Sequence, residues 1–600
     1  MPCACRAVAS GCAWQPLDPP RLRGPAGAGP RELTADWRHT AAMDARQALT
    51  GALPFVVLLA AVLSAPLCAL LLWLYRRAVI RGMGQRSGAG GEPPHGTSGG
   101  EPRSEPRSAS GSQPRSVPSA LRLLPLDAAS AGADNAAWRH ARRAPWQSAA
   151  VYAAAGLVYA LVMALAFQWS DGMPLLPVRT IFLMLCHLWP AVLAVLLVAA
   201  YDRLHRTALL VAYFATVAGV WLAAPHEGGG GLWELVVLWL LLNGPASALL
   251  AAFMWRRIRA VGPLVLSFMV LALLGSQLII GWMAADARVL QAVTDVAFGV
   301  GLGGVSTFYG VMLLGMLLAS AAGWPLLRWL ARRYQARAFS EMSLSVDALF
   351  LIFAVAQSIG FVFSGAWWVL SGLLAFAAAR ATAALLWRWQ GPSPTPAARL
   401  LLLRVFALGA RSEALFDRLR RHWQPLGPMA MIAGPDLVTA TVEPHEFLDF
   451  MSGDLARRFV SDRADLQRRL AGFDARPAPD GRHRINELFC RANTWQMSMQ
   501  RLASASDAVL MDLRSFSASN RGCRYEIGRL LDSVELRRVV LLVDKTTEMP
   551  FLNATLQELW RQLAADSPNR HPGAAVRLMR IDTASHAAMV ALLGHLLARA

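Results

Sequence analysis

Lysine is almost absent from this chain of 600 residues, since Lys545 is the only lysine among 58 basic residues. The seven cysteines are scattered singly, apart from Cys3 and Cys5, and none has the spacing of a CxxC or Cys/His motif. That pattern predicts neither a disulfide framework nor a zinc site, so no metal ligands are assigned. Charged residues make up only 16% of the chain and hydrophobic residues 55%, which excludes an ordinary soluble protein.

The basic residues give a net charge of +19, which raises the question of a nucleic-acid partner. A nucleic-acid interface needs basic residues interleaved with aromatic ones, and the soluble part of the chain has no such stripe. Many of the arginines instead flank apolar runs, as the positive-inside rule requires of cytoplasmic loops. We therefore expect a lipid bilayer as partner and no nucleic acid.

Apolar runs recur along the first two thirds of the chain, and each is long enough to cross a bilayer as a helix. They predict a polytopic α-helical membrane protein with about nine spans. The spans are expected near residues 52–75, 148–168, 179–201, 207–224, 233–254, 262–284, 296–320, 345–362 and 366–388. The distribution of arginine predicts a cytoplasmic C-terminus. The expected location is the inner (plasma) membrane of a bacterial-type cell.

The chain divides into regions of different composition. Residues 1–50 have no periodicity and are interpreted as a disordered or spurious N-terminal extension. A first transmembrane helix at 51–77 is followed at 78–146 by a stretch rich in Gly, Ser, Pro, Glu and Arg. Such a stretch buries too little apolar area to become ordered, so it predicts a disordered cytosolic linker. Residues 147–390 hold the remaining spans, and residues 397–600 form a soluble domain.

Several polar residues lie within the predicted spans, and Arg380 and His187 are the ones assigned to a possible transport path. Arg380 lies about two turns from the cytoplasmic end of its span, so its long side chain is expected to snorkel to the headgroups. His187 is expected to hydrogen bond with a neighbouring helix, as are Asn243 and Gln357. A transporter or channel with a regulatory cytosolic domain stays open as an alternative.

The soluble domain alternates strand and helix patterns. Five apolar, strand-like runs lie at residues 400–407, 429–433, 508–513, 538–543 and 576–581. Five helical patterns lie at residues 412–423, 444–459, 520–532, 551–565 and 584–599. This alternation predicts a doubly wound α/β domain with a parallel sheet.

The stretch from Asp507 to Asp532 organises this domain, because it contains a strand, a polar loop and a helix in succession. The loop residues Ser515, Ser517, Ser519 and Asn520 have the turn and N-cap chemistry that begins a helix. In a parallel α/β sheet, such a loop lies at the carboxyl end of its strand, where ligands bind. The P-loop and GxGxxG patterns do not occur after a strand, which excludes a P-loop ATPase and a Rossmann dehydrogenase.

The soluble domain resembles a Toll/interleukin-receptor (TIR) domain. The resemblance lies in three segments: residues 517–526, which match the family's serine and the following glutamate; residues 402–413, which match its first strand and loop; and residues 539–543, which match its fourth strand. Gly522 stands where the family has tryptophan, and residues 461–506 form an insertion.

The resemblance implies a flavodoxin-like sheet and signalling or defence by self-association, and therefore a homo-oligomer. It also implies NAD as a substrate and Glu526 as the catalytic residue of NAD cleavage. A carboxylate near the ribose stabilises the oxocarbenium-like state through which such a bond breaks. Ser515, Ser517, Ser519, Asn520 and Arg411 are the expected substrate-binding residues. A membrane-anchored binding module without chemistry is the third hypothesis, beside the TIR-like protein and the transporter or channel.

Overall fold

The computed structural model describes two separate sets of residues. The first set comprises residues 66–86, 121–126, 136–199, 203–223, 231–253, 287–336, 340–358 and 370–390. The second set comprises residues 397–405, 410–434 and 444–598, without 474 and 584. A few isolated residues between these ranges are also described. The predicted N-terminal extension lies outside the described residues.

The first set is almost entirely helical. Its helices are α1 (residues 66–84), α2 (Ala136–Ser170), α3 (Pro177–His187), α4 (Trp189–Val198), α5 (Arg203–Ala223), α6 (Leu232–Phe253), α7 (Ala287–Gly299), α8 (Gly304–Gln335), α9 (Glu341–Ser358) and α10 (Leu370–Gln390). Five of these described helices, α2, α5, α8, α9 and α10, are long and apolar enough to cross a membrane. The helices α3 and α4 together form one further candidate span. The prediction of about nine spans is not confirmed, and most of the predicted span at 262–284 lies outside the described residues.

The bend between α3 and α4 has an identifiable cause. The two helices meet at Leu188 with an angle of 42°, where the sequence predicts one continuous span. Pro190 has no N–H to donate to the carbonyl of Cys186 one turn earlier. The Asn243 side chain of α6 donates to that carbonyl instead, at 3.2 Å. The interhelical hydrogen bond satisfies the group that proline leaves free, which is how membrane helices tolerate breaks.

The second set forms the α/β domain. Its strands are β2 (Leu400–Arg404), β3 (Met429–Ile432), β4 (Ile485–Leu488), β5 (Ala508–Asp512), β6 (Val539–Val543) and β7 (Ala575–Arg580). Its helices are α11 (Ala410–Trp423), α12 (Pro444–Met451), α13 (Arg463–Ala471), α14 (Trp495–Ala505), α15 (Arg521–Ser533), α16 (Met549–Arg561) and α17 (His586–Leu597). The predicted helix at 444–459 ends at Met451 and is followed by a 3₁₀ turn at Leu455–Arg458. The other predicted strands and helices occur within a few residues of their expected bounds.

The six strands of the domain and a further strand, β1 (Arg122–Leu126), are all parallel and form one sheet, in the order β1-β7-β6-β5-β2-β3-β4. The predicted parallel sheet is therefore confirmed, but it has seven strands rather than five. β4 comes from the predicted insertion. β1 comes from the predicted linker and pairs with β7 at one edge of the sheet. Pro125 cannot donate a ladder hydrogen bond, and only an edge strand tolerates that loss.

The position of β1 constrains how the chain crosses a membrane. It lies between α1 and α2 in the chain, whereas its partner β7 belongs to the C-terminal domain. Two strands of one sheet must lie on the same side of a bilayer. The segment between β1 and β2 therefore crosses any membrane an even number of times. Among the described residues, the five single helices and the bent α3–α4 pair, taken as one span, are even in number.

The α/β domain contacts the helical region through buried polar groups. Arg420, in the last turn of α11, donates two hydrogen bonds to the carboxylate of Glu341 at the start of α9, at 3.0 and 2.9 Å. The hydroxyl of Ser340 donates to the carboxylate of Asp480, and both residues are buried. These contacts join the two parts of the chain directly.

Reversing the charge at Glu341 is expected to weaken this junction. In Glu341→Arg, a second cation would stand beside the buried Arg420, which would keep only Asp417, at 3.4 Å, as a carboxylate partner. Breaking such a pair costs about 3 kcal/mol. We expect the detergent-solubilised protein to unfold at a temperature lower by about 10 °C. The double variant Glu341→Arg/Arg420→Glu should recover part of the loss, and Asp566→Arg, at an exposed position, should have no effect. Equal thermal midpoints for all variants would show that the junction contributes nothing to the stability of the folded protein.

Candidate functional site

The carboxyl ends of β2 and β5 meet at the point where the strand order reverses. The chain leaves β2 toward β3 on one side and later enters β5 on the other side. Arg404 and Asp512, the last residues of these strands, are direct register partners, and both are almost fully buried. Ligands of open α/β sheets bind at such a switch point.

Asp512 forms a two-pronged ion pair with Arg514. The Nε and Nη2 atoms of Arg514 donate to the two carboxylate oxygens at 2.8 and 2.7 Å. Both side chains are buried. Arg514 also donates to the backbone carbonyl of Arg411 at 3.3 Å. The pair thus fixes the loop after β5 against the start of α11.

Asp544, directly after β6, forms a second polar centre at this edge. It accepts hydrogen bonds from the backbone and the hydroxyl of Thr546, at 2.9 and 2.6 Å, and forms an ion pair with Arg411. Burial raises the pKa of Asp544, but the hydrogen bonds from Thr546 and the nearby Arg411 and Arg514 outweigh it. The pKa of this carboxyl is therefore below its ordinary value, and Asp544 carries a stable negative charge.

The predicted substrate-binding hydroxyls fall into two groups. Ser515 has a φ of 59°, a left-handed conformation rare for serine, and its hydroxyl lies 2.8 Å from that of Thr546. Ser517 lies 2.9 Å from Ser519, measured between hydroxyl oxygens, and its N–H donates to the Asn520 side chain at 2.9 Å. The expectation that Asn520 caps the next helix by its side chain is wrong, because that oxygen accepts from Ser517.

Glu526 lies on α15 and is only 5% exposed. Its side chain therefore does not face an open crevice in this conformation, as a catalytic residue in contact with substrate would. Burial raises the pKa of Glu526 to about 8, and the positive charge of Arg404 counteracts only part of this rise. One carboxyl oxygen, Oε2, has no hydrogen-bond partner in the described part of the chain. A buried ionisable group with an unsatisfied oxygen beside a topological switch point is a candidate functional residue.

The raised pKa of Glu526 predicts a stability that depends on pH. The folded protein retains this proton at pH values where the unfolded chain, with the ordinary pKa of 4.5, has released it. Stability is therefore lost as the pH rises from 4.5 to about 8, by at most about 1.4 kcal/mol per pH unit. Glu526→Gln remains neutral, so its thermal midpoint should exceed that of the unaltered protein increasingly as the pH is raised. A constant difference across this range would contradict the prediction.

The structure brings only some of the predicted site residues together. Arg411 and Ser515 share the neighbour Thr546, whereas Ser517, Ser519 and Asn520 hydrogen bond among themselves. Arg404, Arg514 and Thr546 were not predicted as site residues. A charged residue within a buried apolar run was the available signal for Arg404, and one directly after such a run was the signal for Arg514. Among the described residues, no group of three or more His, Cys, Asp or Glu side chains could hold a metal ion.

The polar residues between the membrane-type helices form their own network. Tyr159 donates to Gln357 at 2.8 Å, and Gln357 donates to Asn243 at 2.9 Å. His187 hydrogen bonds through Nδ1 to the Leu183 carbonyl in its own helix, at 2.8 Å, rather than to a neighbouring helix.

Arg380 forms an ion pair with Asp347 of α9 at 3.1 Å. The sequence predicts that the Arg380 side chain snorkels to the headgroups. In the structure its charge is instead paired with a carboxylate of the protein.

Comparison with protein-family models, with curated proteins and with solved structures finds no match to this chain. The likeness to a TIR domain therefore depends on the residues quoted above and stays a prediction.

Proposed function

We propose that this chain is a multi-pass inner-membrane protein that presents a TIR-like α/β domain to the cytoplasm. In this proposal the domain signals by self-association and cleaves NAD through Glu526. The observation that supports it best is the buried, unsatisfied carboxyl of Glu526 beside the switch point of an all-parallel sheet. The even number of crossings that β1 requires, together with the arginine-rich loops, supports the cytoplasmic side.

The order of the strands agrees with the proposed family likeness. Without the edge strands β1 and β4, the sheet runs β3-β2-β5-β6-β7. Numbered along the chain, this is the doubly wound order of flavodoxin-like folds. A fold of this kind hosts many functions, so the functional argument must come from the site.

The site offers the groups that cleavage of a nicotinamide–ribose bond requires. Ionised Glu526 can stabilise the positive charge that develops on the ribose ring as the bond breaks. Arg411 and Ser515, close to Thr546, offer hydrogen-bond donors for a phosphate or a ribose hydroxyl. Because Glu526 is buried, the described conformation is a resting state in this proposal. Self-association opens the carboxyl edge of the sheet and admits the substrate.

The proposal is tested with the full chain in detergent, incubated with NAD over a range of protein concentrations. Nicotinamide is quantified by chromatography and oligomer size by light scattering. We expect nicotinamide release per molecule to increase as oligomers form. Release that is independent of oligomer size would contradict activation by association. Oligomers that release no nicotinamide would identify a binding module without chemistry.

A transporter or channel is the second candidate, because a buried imidazole nitrogen without a hydrogen-bond partner lies beside a helix break among the membrane-type helices. His187 is fully buried, and its Nε2 atom has no hydrogen-bond partner within the described chain. It lies next to the helix break at Leu188, and transporters often bind substrates at such breaks. Ion flux into proteoliposomes that is lost in His187→Ala would favour this function. Flux that is absent, or unchanged by the substitution, would count against it.

A further inference from the structure

The insertion at 461–506 helps to build a pocket that the proposed function does not use. The pocket lies between the end of α1 and the segment from the 3₁₀ turn Leu455–Arg458 to Arg491. It is a cleft open to solvent, with a volume of about 420 Å³. We refer to it as the insertion pocket.

Positive charge dominates the lining of the insertion pocket. Four arginines, Arg86, Arg457, Arg469 and Arg491, line it with a single carboxylate, that of Asp465. Asp465 is already engaged, since it pairs with Arg469 at 2.9 Å and accepts from the backbone of Ser461 at 3.2 Å. The lining therefore carries a net charge of about +3, which favours an anionic ligand.

Hydrogen bonds hold two of these arginines in place. Arg469 donates to the backbone carbonyl of Arg457 at 2.7 Å, which ties α13 to the 3₁₀ turn. Arg491 lies over the ring of Phe459, with 5.4 Å between its Cζ atom and the ring centroid. It also donates to the side chain of Gln85 at 3.0 Å. A side chain fixed before binding loses less conformational entropy when a ligand arrives.

The pocket is joined firmly to the end of α1. The N–H of Ala492 donates to the carbonyl of Gln85 at 3.1 Å. A Cβ atom at Gly82 would lie 2.4 Å from the ring of Phe459, so only glycine permits this approach. The predicted first span ends near residue 77, and Arg86 lies nine residues beyond it, about 14 Å along the helix direction. The pocket therefore lies on the same side of the expected bilayer as the α/β domain, against which Tyr75 and Val79 of α1 pack.

We propose that the insertion pocket binds a phosphate group, through the planar forks that arginine presents to phosphate oxygens. Arg86 and Arg457 are exposed at the pocket. Arg457 forms a solvent-exposed ion pair with Asp454 at 3.3 Å, whereas within the described chain Arg86 has no carboxylate partner. The phosphate belongs either to the headgroup of an anionic phospholipid or to a soluble phosphorylated molecule. This inference is independent of Glu526 and of NAD cleavage.

The test uses the full chain in neutral detergent, titrated by calorimetry with two probes. One probe is short-chain phosphatidic acid, and the other is inorganic phosphate. Saturable binding of the lipid alone would identify a headgroup site, and saturable binding of phosphate as well would identify a site for soluble ligands. The absence of saturable binding of either probe would overturn the proposal.

Two matched variants locate the binding. Arg86→Gln/Arg457→Gln removes the two exposed arginines of the pocket, and we expect it to weaken binding about tenfold or more. Arg463→Gln/Arg501→Gln removes two exposed arginines outside the pocket and should bind as the unaltered chain does. Because all four positions are exposed, both double variants should keep the thermal midpoint of the unaltered protein. If Arg86→Gln/Arg457→Gln lowers the midpoint, the single variant Arg86→Gln is used in its place. Equal binding by the two double variants would also overturn the proposal.

Discussion

Glu526→Gln is expected to reduce nicotinamide release from NAD by about a hundredfold or more. Glutamine has nearly the same volume as glutamate, so the substitution preserves packing around this buried position. It cannot carry the negative charge that stabilises the developing oxocarbenium ion. In the closed resting conformation, burial raises the pKa of Glu526 to about 8, so a rising pH ionises this carboxyl and favours the open, active conformation. The rate of the unaltered protein should therefore increase with pH and level off above about 8.

Glu535→Gln provides the matched control, because Glu535 is a partly exposed glutamate just after α15, paired with Arg537. Its rate and its pH profile should equal those of the unaltered chain. A Glu526→Gln protein that releases nicotinamide normally would remove Glu526 from the chemistry. A rate that falls as the pH rises would instead assign the active form to the protonated carboxyl.

Arg514→Met is expected to destabilise the α/β domain by about 3–5 kcal/mol. The substitution leaves the carboxylate of Asp512, which is 1% exposed, buried without its two-pronged partner. It also removes the hydrogen bond to the Arg411 carbonyl, so the loop after β5 loses its attachment to α11. The thermal midpoint of the full chain, measured by intrinsic tryptophan fluorescence, should fall by about 10 °C.

The double variant Asp512→Asn/Arg514→Met separates charge from packing. It removes both charges together, so the penalty of an unpaired buried charge disappears, and replacing both partners is often nearly neutral. We expect it to unfold at a higher temperature than Arg514→Met alone. A double variant less stable than the single one would show that hydrogen bonding and shape, rather than the unpaired charge, account for the loss.

The central strands were predictable because each is an uninterrupted apolar run bounded by turn residues. All five residues of β5 and of β6 are buried, which is the pattern of a parallel strand covered on both faces. β4 was missed because its Asn486 and Glu487 interrupt the apolar pattern. β1 was missed because it lies in a polar, Pro-containing stretch and is ordered only by pairing with β7, more than 400 residues later in the chain.

The candidate site was only partly predictable for a related reason. Sequence reasoning places Ser515 and Glu526 near the carboxyl end of β5, since chain connectivity alone requires it. It cannot show that the side chain of Arg514 folds back onto Asp512, or that Glu526 is enclosed. Both depend on packing between segments far apart in the chain, such as the Arg404 end of β2 against β5. The same holds for Asp347, whose ion pair with Arg380 was not predicted.

In the membrane region, hydropathy is sufficient to predict several helices but not the bend between α3 and α4. Hydropathy predicts helices such as α2 and α9 because length and apolar composition alone decide them. It does not predict the bend at Leu188, because a hydrogen bond from Asn243 on another helix is needed to satisfy the carbonyl that Pro190 leaves free.

Cysteine labelling in intact cells tests most directly the claim that β1 and the C-terminal domain share one cytoplasmic sheet. Leu124→Cys and Asp566→Cys place single thiols at exposed positions of β1 and of the domain, and a membrane-impermeant maleimide is then added. Neither thiol should react with the maleimide in intact cells. After the membrane is permeabilised, both should be labelled more strongly than the native cysteines of the parent chain. Labelling of either position in intact cells would contradict the account, and labelling of only one would separate β1 from the sheet.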